Sequence, residues 1–121
     1  IIGGRNGKNS LFTISKNSKI GEAIRLMNKE GIDQIPVVDG NEFVGSVASS
    51  SLLEKIIFEP EMKDKTVGDL MDKPMQFVAL DSTLDVLSSL LNKNSKALLV
   101  RDSSDAVHII TQHDILKAIT S

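Results

Sequence analysis

The sequence carries one pattern of apolar and polar residues twice, and this repeat constrains the fold more than any other feature. Residues 18–29 can be laid over residues 82–93, and the apolar positions then coincide, with Ile20, Ala23 and Met27 falling on Leu84, Leu87 and Leu91. Positions three and four residues apart lie on one face of a helix. Each half is therefore predicted to contain a helix that buries this face, and 121 residues are enough for two small repeats that share a core.

The other predicted elements follow in the same order in both halves. Residues 35–38 and 97–100 are short apolar runs, typical of strands that are buried on both faces, and turn residues follow each run. The predicted order of each repeat is strand, helix, strand, strand, helix. The opening strands are expected at 11–14 and 77–80, the return strands at 43–48 and 107–111, and the closing helices at 52–58 and 115–119.

A charged segment that contains proline, Glu59 to Lys65, separates the two halves and predicts a boundary near residue 64. The predicted organisation is a flexible lead-in at 1–10, a first repeat at 11–64 and a second repeat at 65–121. The chain begins with Ile1 rather than Met, so we expect it to be an excised part of a longer protein.

Composition narrows the classes of function. No apolar run approaches the roughly 18 residues of a membrane span and no signal-peptide pattern is present, so we expect a cytoplasmic protein without a membrane partner. The absence of cysteine excludes disulfides, thiolate metal sites and Cys nucleophiles. The net charge is −2, basic and acidic residues are mixed, and the only aromatic residue type is Phe, so nucleic acid is not an expected partner.

Two stretches resemble a known family. Residues 31–38 read GIDQIPVV and residues 109–116 read IITQHDIL, and over residues 11–120 the repeat resembles the cystathionine-β-synthase (CBS) domain, whose tandem pair is called a Bateman module. The resemblance implies an α/β (α+β) fold of two βαββα units related by a pseudo-twofold axis. The Asp33-Gln34 pair and the residues 81–84 and 87–88 look most like the C-terminal regulatory region of cystathionine β-synthase.

The resemblance also implies a ligand, S-adenosylmethionine or one of AMP, ADP and ATP, with no cofactor in this part of the chain. An ionised carboxylate can accept a hydrogen bond from both hydroxyls of a ribose, and Asp114 fits that role beside Thr111. The amides that open the following helix would face the ligand. The family implies a ribose or phosphate side made by Thr111, Gln112, His113 and Asp114, and an adenine side made by Thr13, Ile32, Asp33, Gln34, Ile35, Pro36 and Ile110.

The Thr111 to Asp114 spacing also fits a helix N-cap with an acidic residue in the first turn, and the two roles can coexist. At the matching junction of the first repeat, Ala48 stands where Thr111 stands and Ser51 where Asp114 stands. Ser51 cannot supply a charged acceptor, although it and Glu54 fit a capping box. One competent ligand site and one degenerate site are therefore expected.

Both histidines lie near this junction, at His108 and His113, but two histidines are too few for the metal sites that carry a His-Asp pair, so no metal is expected. No Gly-x-Ser-x-Gly motif is present, and no catalytic residues are expected. The resemblance implies a regulatory module that senses an adenosyl ligand, forms a homodimer and controls an attached effector, such as a pyridoxal-phosphate enzyme of the cystathionine β-synthase type. The alternative is a structural dimerisation module without a ligand.

Overall fold

A computed structural model describes residues 11–92 and 95–120 of the chain. The lead-in predicted for residues 1–10 lies outside these described residues. The contacts divide the chain into two compact units: Phe12–Pro74 form the first unit, and the described residues from Met75 onward belong to the second.

The first unit contains three strands and two longer helices. Its elements in chain order are β1 (Ile14–Ser15), α1 (Ile20–Glu30), β2 (Gln34–Asp39), β3 (Glu42–Ala48) and α2 (Ser49–Phe58), followed by a 3₁₀ turn (Pro60–Asp64) and a short helix α3 (Val67–Leu70). The strand β2 lies in the middle of the sheet, parallel to β1 and antiparallel to β3.

The second unit repeats this arrangement. Its elements are β4 (Gln76–Val78), α4 (Leu84–Leu90), β5 (Ala97–Arg101), β6 (Val107–Thr111) and α5 (Gln112–Thr120). Here β5 is the central strand, parallel to β4 and antiparallel to β6. The predicted order of strand, helix, strand, strand, helix is therefore confirmed in both halves.

The closing helices begin earlier than predicted. The helix α2 starts at Ser49 rather than residue 52, and α5 starts at Gln112 rather than residue 115. In both units the preceding strand ends one residue before the helix, at Ala48 and Thr111. Three polar residues before each predicted start therefore form the first turn of the helix.

The predicted helix face is buried in the first unit and partly exposed in the second. Ile20, Ala23 and Met27 of α1 pack in a core with residues of β2. The C-cap of α1 is Gly31, whose φ of 65° is the left-handed conformation that favours glycine. In α4 Leu87 is buried, but Leu84 is 37% exposed and so departs from the prediction. Ile20 is fully buried in a core that also contains Val67 of α3.

The segment from Lys65 to Lys73 packs on the first unit. The Ile20 N–H donates to the Lys65 carbonyl at 3.0 Å, and the Val67 N–H donates to the Ser18 carbonyl at 2.7 Å. The Lys55 ammonium on α2 donates to the Leu70 carbonyl at 2.6 Å. The compact unit thus ends at Pro74, whereas the boundary that was predicted near residue 64 assigns this segment to the second repeat.

Proline in a central strand is explained by the pairing around it. Pro36 of β2 faces Ser46 of β3, and Ser46 exchanges both of its backbone hydrogen bonds with Asp72, at 3.1 and 2.7 Å. Pro36 and Ser46 are therefore a non-hydrogen-bonded pair. On the other side of β2, β1 pairs with Val37 and Val38. No backbone hydrogen bond of the sheet therefore requires an N–H at Pro36.

Gly45 permits the close approach of this segment to β3. A Cβ atom at position 45 would lie 2.8 Å from the Met71 Cγ and 2.9 Å from the Asp72 carbonyl oxygen. Gly45→Ala is expected to lower the free energy of unfolding by about 1–3 kcal/mol, because the backbone at Asp72 must move. Urea unfolding monitored by circular dichroism measures this change.

Gly21→Ala is the matched control for this prediction. The nearest atom to a Cβ there is the Arg25 Nη1 at 3.5 Å, at the end of a flexible side chain. Because Gly21 lies in a helix, alanine is expected to raise the free energy of unfolding by up to about 1 kcal/mol. Equal destabilisation by both substitutions would contradict the tight fit at Gly45.

Candidate functional site

Asp114 lies at the strand-to-helix junction of the second unit. Thr111 ends β6, and its N–H donates to the Asp114 Oδ2 at 2.8 Å while its hydroxyl donates to the same oxygen at 3.2 Å. The Asp114 residue is 7% exposed. The junction therefore holds a buried carboxylate in a fixed position, next to the first turn of α5.

The same four-residue pattern occurs at Thr66 to Asp69, at the start of α3. There the Thr66 N–H and hydroxyl lie 3.3 and 3.0 Å from the Asp69 Oδ2, and the two residues form a complete capping box. Asp69 is exposed, however, whereas Asp114 is buried. The hydrogen bonds of Thr111 are thus those of an ordinary helix cap, and burial of the carboxylate is what distinguishes the junction of the second unit.

The neighbours of Asp114 differ in how they can contribute. Gln112 and His113 are exposed at the start of α5. Ile110 is 4% exposed and packs in the core of the second unit with Leu98 and Ile115. A contact between Ile110 and a ligand would therefore be made through its backbone.

Apart from Ile110, the residues predicted to form the adenine side lie in the first unit, and the structure separates them by burial. Thr13 and Asp33 are exposed, and Gln34 is half-buried. Ile35 and Pro36 have fully buried side chains. Any contact with a ligand by these last two residues is limited to their backbone groups, and the assignment of the whole group stays a prediction.

Asp33 has a structural role that sequence reasoning missed. The Ser49 N–H at the start of α2 donates to the Asp33 carbonyl at 2.9 Å, and the Ser49 hydroxyl donates to the Asp33 Oδ1 at 3.1 Å. Ala48 is the N-cap of this helix and supplies no side-chain hydrogen bond. The backbone carbonyl of Asp33 therefore accepts the first N–H of a helix that lacks a side-chain cap, while the Asp33 carboxylate holds the Ser49 hydroxyl.

The degenerate junction does not form the capping box that Ser51 and Glu54 were expected to make. Because α2 begins at Ser49, Ser51 lies inside the first turn rather than at the N-cap position. Ala48 and Ser51 are both half-buried. Neither side chain supplies a carboxylate, and no acidic residue lies in the first turn of α2.

The two histidines have separate environments. His108 is 4% exposed on β6, and its Nε2 lies 2.7 Å from the Asp102 Oδ2. His113 is exposed on α5. Within residues 11–92 and 95–120, no group of three or more His, Cys, Asp or Glu side chains is placed to hold a metal ion.

Asp102 fixes the turn between β5 and β6. Its Oδ1 accepts the Ser104 hydroxyl at 2.6 Å, the Ser104 N–H at 2.8 Å and the Ala106 N–H at 3.1 Å. An ionised carboxylate only accepts hydrogen bonds, so the His108 Nε2 that faces it carries a proton. The bonds from Ser104, followed by that from His108, hold the pKa of Asp102 well below its ordinary value.

A depressed pKa makes the contribution of Asp102 to stability depend on pH. The contribution is present above the pKa that Asp102 has in the unfolded chain, about 4, and it is lost as the pH falls towards the lower pKa of Asp102 in the folded state. Asp102→Asn is therefore expected to destabilise the protein more at pH 7 than at pH 2.5. Urea unfolding at both pH values, with exposed Asp81→Asn as the control, checks this; equal losses at both values would contradict it.

Two βαββα units in one chain, each with a helix that starts directly at the end of a strand, define a tandem-repeat module. The model of the CBS domain family matches residues 8–57 and again residues 67–121. The chain therefore belongs to the CBS domain family and contains two CBS domains, as the resemblance predicts.

The relatives are longer proteins. The chain is 29% identical over 116 residues to an uncharacterised protein of Methanocaldococcus jannaschii, a match that covers 94% of this chain and 38% of that protein. It is 25% identical over 128 residues to cystathionine beta-synthase of Saccharomyces cerevisiae, covering 88% of this chain and 25% of that protein. The chain thus spans well under half the length of these relatives.

Solved structures of CBS-domain proteins have the same fold. The CBS-domain containing protein ATU1752 from Agrobacterium tumefaciens has a TM-score of 0.81 at 21% identity, covering 96% of this chain and 94% of that one. CBSX2 of Arabidopsis thaliana, solved in complex with AMP, has a TM-score of 0.71 at 25% identity, covering 93% and 90%. Among the described residues of the present chain, no helix has the length and apolar character needed to cross a membrane.

Proposed function

We propose that this pair of CBS domains is a regulatory, non-catalytic module that binds an adenosyl ligand at the Asp114 junction. The observation that carries the proposal is the buried carboxylate of Asp114, fixed by Thr111 at the start of α5. A carboxylate in this position can accept hydrogen bonds from both hydroxyls of a ribose, and such charge-assisted bonds are stronger than neutral ones. The AMP complex of CBSX2 supports an adenine nucleotide as the ligand class.

The capping role of Asp114 supports the binding role. A ligand that meets a preordered carboxylate loses less conformational entropy than one that must first order the side chain. The N–H groups in the first turn of α5 add donors and the positive end of the helix dipole, which favour an oxygen-rich or phosphate-bearing ligand. As the resemblance implies, the adenine would be contacted by the residues of the predicted adenine side: Thr13, Ile32, Asp33, Gln34, Ile35, Pro36 and Ile110.

The proposal extends to control of an attached effector. A ligand that binds one conformation of the pair better than another shifts the population by that difference in affinity, and the effector responds to the shift. The match to yeast cystathionine beta-synthase supports a pyridoxal-phosphate enzyme as the effector and S-adenosylmethionine as a further ligand to test. The whole protein is proposed to be cytoplasmic.

Ligand titration is the direct test. At about 100 times its Kd, a ligand of the native state adds about 2.7 kcal/mol to the free energy of unfolding. For a chain of this size the melting temperature is expected to rise on the order of ten degrees. We expect this rise with at least one of AMP, ADP, ATP and S-adenosylmethionine. Differential scanning calorimetry measures it, with NADH as a comparison. If none of these compounds raises the melting temperature, the proposal of a ligand sensor is wrong.

Asp114→Asn tests the residue assignment. The amide retains an oxygen that can accept the Thr111 N–H, but it lacks the charge, so the Kd of the ligand is expected to rise about tenfold or more. Asp69→Asn is the matched control, because it changes the same motif at an exposed cap. Isothermal titration measures the Kd of both variants. The assignment is wrong if both substitutions weaken binding equally or if neither weakens it.

Self-association is a second property that a specific observation favours. Leu116 and Ile119 lie one turn apart on α5 and are 62% and 64% exposed. An exposed apolar pair of this kind is typical of a helix that packs on a partner. We propose that the module forms a homodimer. Dimer formation without a ligand would be the alternative function, that of a structural dimerisation module.

Replacing Ile119 with Lys tests the dimer. The substitution puts a charge on the apolar pair and is expected to shift sedimentation velocity profiles towards the monomer. Thr120→Lys is the control, since it adds the same charge to the neighbouring exposed position. A wild-type protein that sediments as a monomer across concentrations would overturn the dimer.

A further inference from the structure

Lys96 stands directly before β5, at the end of the sheet where α5 begins. The strand register pairs Ala97, the first residue of β5, with Thr111, the last residue of β6. Gln112 starts α5 one residue later, so the antiparallel pairing places Lys96 beside the start of this helix. Lys96 is exposed. It is therefore a cationic residue that borders the Asp114 junction.

The first unit shows what a side chain at this position can reach. Its register is the same, because Gln34, the first residue of β2, pairs with Ala48, the last residue of β3. Asp33 precedes β2 as Lys96 precedes β5, and the Asp33 Oδ1 lies 3.1 Å from the hydroxyl of Ser49, the first residue of α2. A short side chain thus contacts the start of the closing helix from this position. The longer lysine side chain can reach the start of α5.

The two junctions carry opposite charges at this position. In the first unit the acid Asp33 precedes the central strand, and the first turn of α2 has no acidic residue. In the second unit the base Lys96 precedes the central strand, and the acid Asp114 lies in the first turn of α5. Among the described residues, no carboxylate forms an ion pair with Lys96. The second junction therefore offers a carboxylate and an ammonium group at the same end of one helix.

We propose that Lys96 makes the Asp114 site selective for an adenosyl ligand that carries phosphate, in preference to the sulfonium ligand S-adenosylmethionine. This inference rests on the proposed function and names the ligand class of the same site. Asp114 would hold the ribose, and the Lys96 ammonium would pair with a phosphate attached to it. The N–H groups in the first turn of α5 and the positive end of its dipole favour phosphate as well.

Asp33 supplies a competing charge, because it is the acid among the residues predicted to contact the adenine. A site governed by Asp33 would prefer a positive ligand. S-adenosylmethionine would then bind more tightly than S-adenosylhomocysteine, which lacks the sulfonium charge. A site governed by Lys96 has the opposite preference, since an ammonium group repels a sulfonium. This pair of compounds therefore distinguishes the two charges.

Adenosine and AMP are the first test pair, because they differ only by the phosphate. Isothermal titration is expected to give a Kd for AMP about threefold to tenfold lower than that for adenosine, as for a partly exposed charge-assisted contact. Lys96→Gln is expected to remove this difference by weakening AMP binding while leaving adenosine unchanged. Lys29→Gln is the matched control, since it removes the same charge from an exposed position on α1 and is expected to leave both Kd values unchanged.

S-adenosylmethionine and S-adenosylhomocysteine are the second test pair. The wild type is expected to bind S-adenosylmethionine no more tightly than S-adenosylhomocysteine. Lys96→Gln is expected to lower the Kd of S-adenosylmethionine relative to that of S-adenosylhomocysteine, because the repulsion is removed. High salt is expected to reduce the preference for AMP over adenosine, since screening weakens an exposed charge pair.

Three results would overturn the inference. They are equal Kd values for AMP and adenosine in the wild type, tighter binding of S-adenosylmethionine than of S-adenosylhomocysteine, and equal weakening of AMP and adenosine by Lys96→Gln. Adenosine tests the proposed function separately, because adenosine binding that is weakened by Asp114→Asn supports the ribose site even where the preference for AMP is absent. No binding of any of the four compounds overturns both. Circular dichroism of each variant excludes loss of folding as the cause.

Discussion

In both units a strand passes into a helix without an intervening loop, and the N–H groups where the helix starts need acceptors. This requirement shapes the candidate site. In the second unit the acceptor for the Thr111 N–H is Asp114, from the first turn of α5 itself. In the first unit the Ser49 N–H and hydroxyl are satisfied by Asp33, which belongs to the segment before β2.

The two solutions have different consequences for function. In the second unit Asp114 is held at the junction, at the start of α5, and the proposed adenosyl site rests on this arrangement. In the first unit the backbone carbonyl of Asp33 accepts the first N–H of α2, and the Asp33 carboxylate accepts the Ser49 hydroxyl. Only the second unit therefore carries a carboxylate in the first turn of its closing helix.

Much of the fold was predictable because the repeat is defined by the spacing of its apolar residues. That spacing indicates helices and strands directly, since each has its own periodicity of buried positions. The order of elements and the family follow from it. Leu84 was predicted to be buried because it falls on Ile20 in the repeat, but Ile20 lies in a core built from several elements, including α3, and no local pattern in the repeat indicates such packing. The starts of α2 and α5 were placed three residues late because the prediction began each helix at its first apolar residue, Leu52 or Ile115, whereas the first turn is polar.

The site was predictable only in part, for a similar reason. Thr111 and Asp114 are close in sequence, so their contact follows from helix geometry. Asp33 and Ser49 are sixteen residues apart, and their pairing depends on how β2 and β3 align. The burial of Asp114, which separates it from the exposed cap at Asp69, is likewise a property of packing rather than of the motif.

The bond between Ser49 and Asp33 also bears on how the two halves of a tandem protein can differ in sequence. The first N–H of α2 is accepted by a backbone carbonyl, and this acceptor is present whichever residue stands at position 33. That bond therefore does not depend on the side chains at positions 48 and 51, where Ala48 and Ser51 stand. The pairing of β2 with β3 thus leaves the first junction freer to vary in sequence than the second, where Thr111 and Asp114 bond each other.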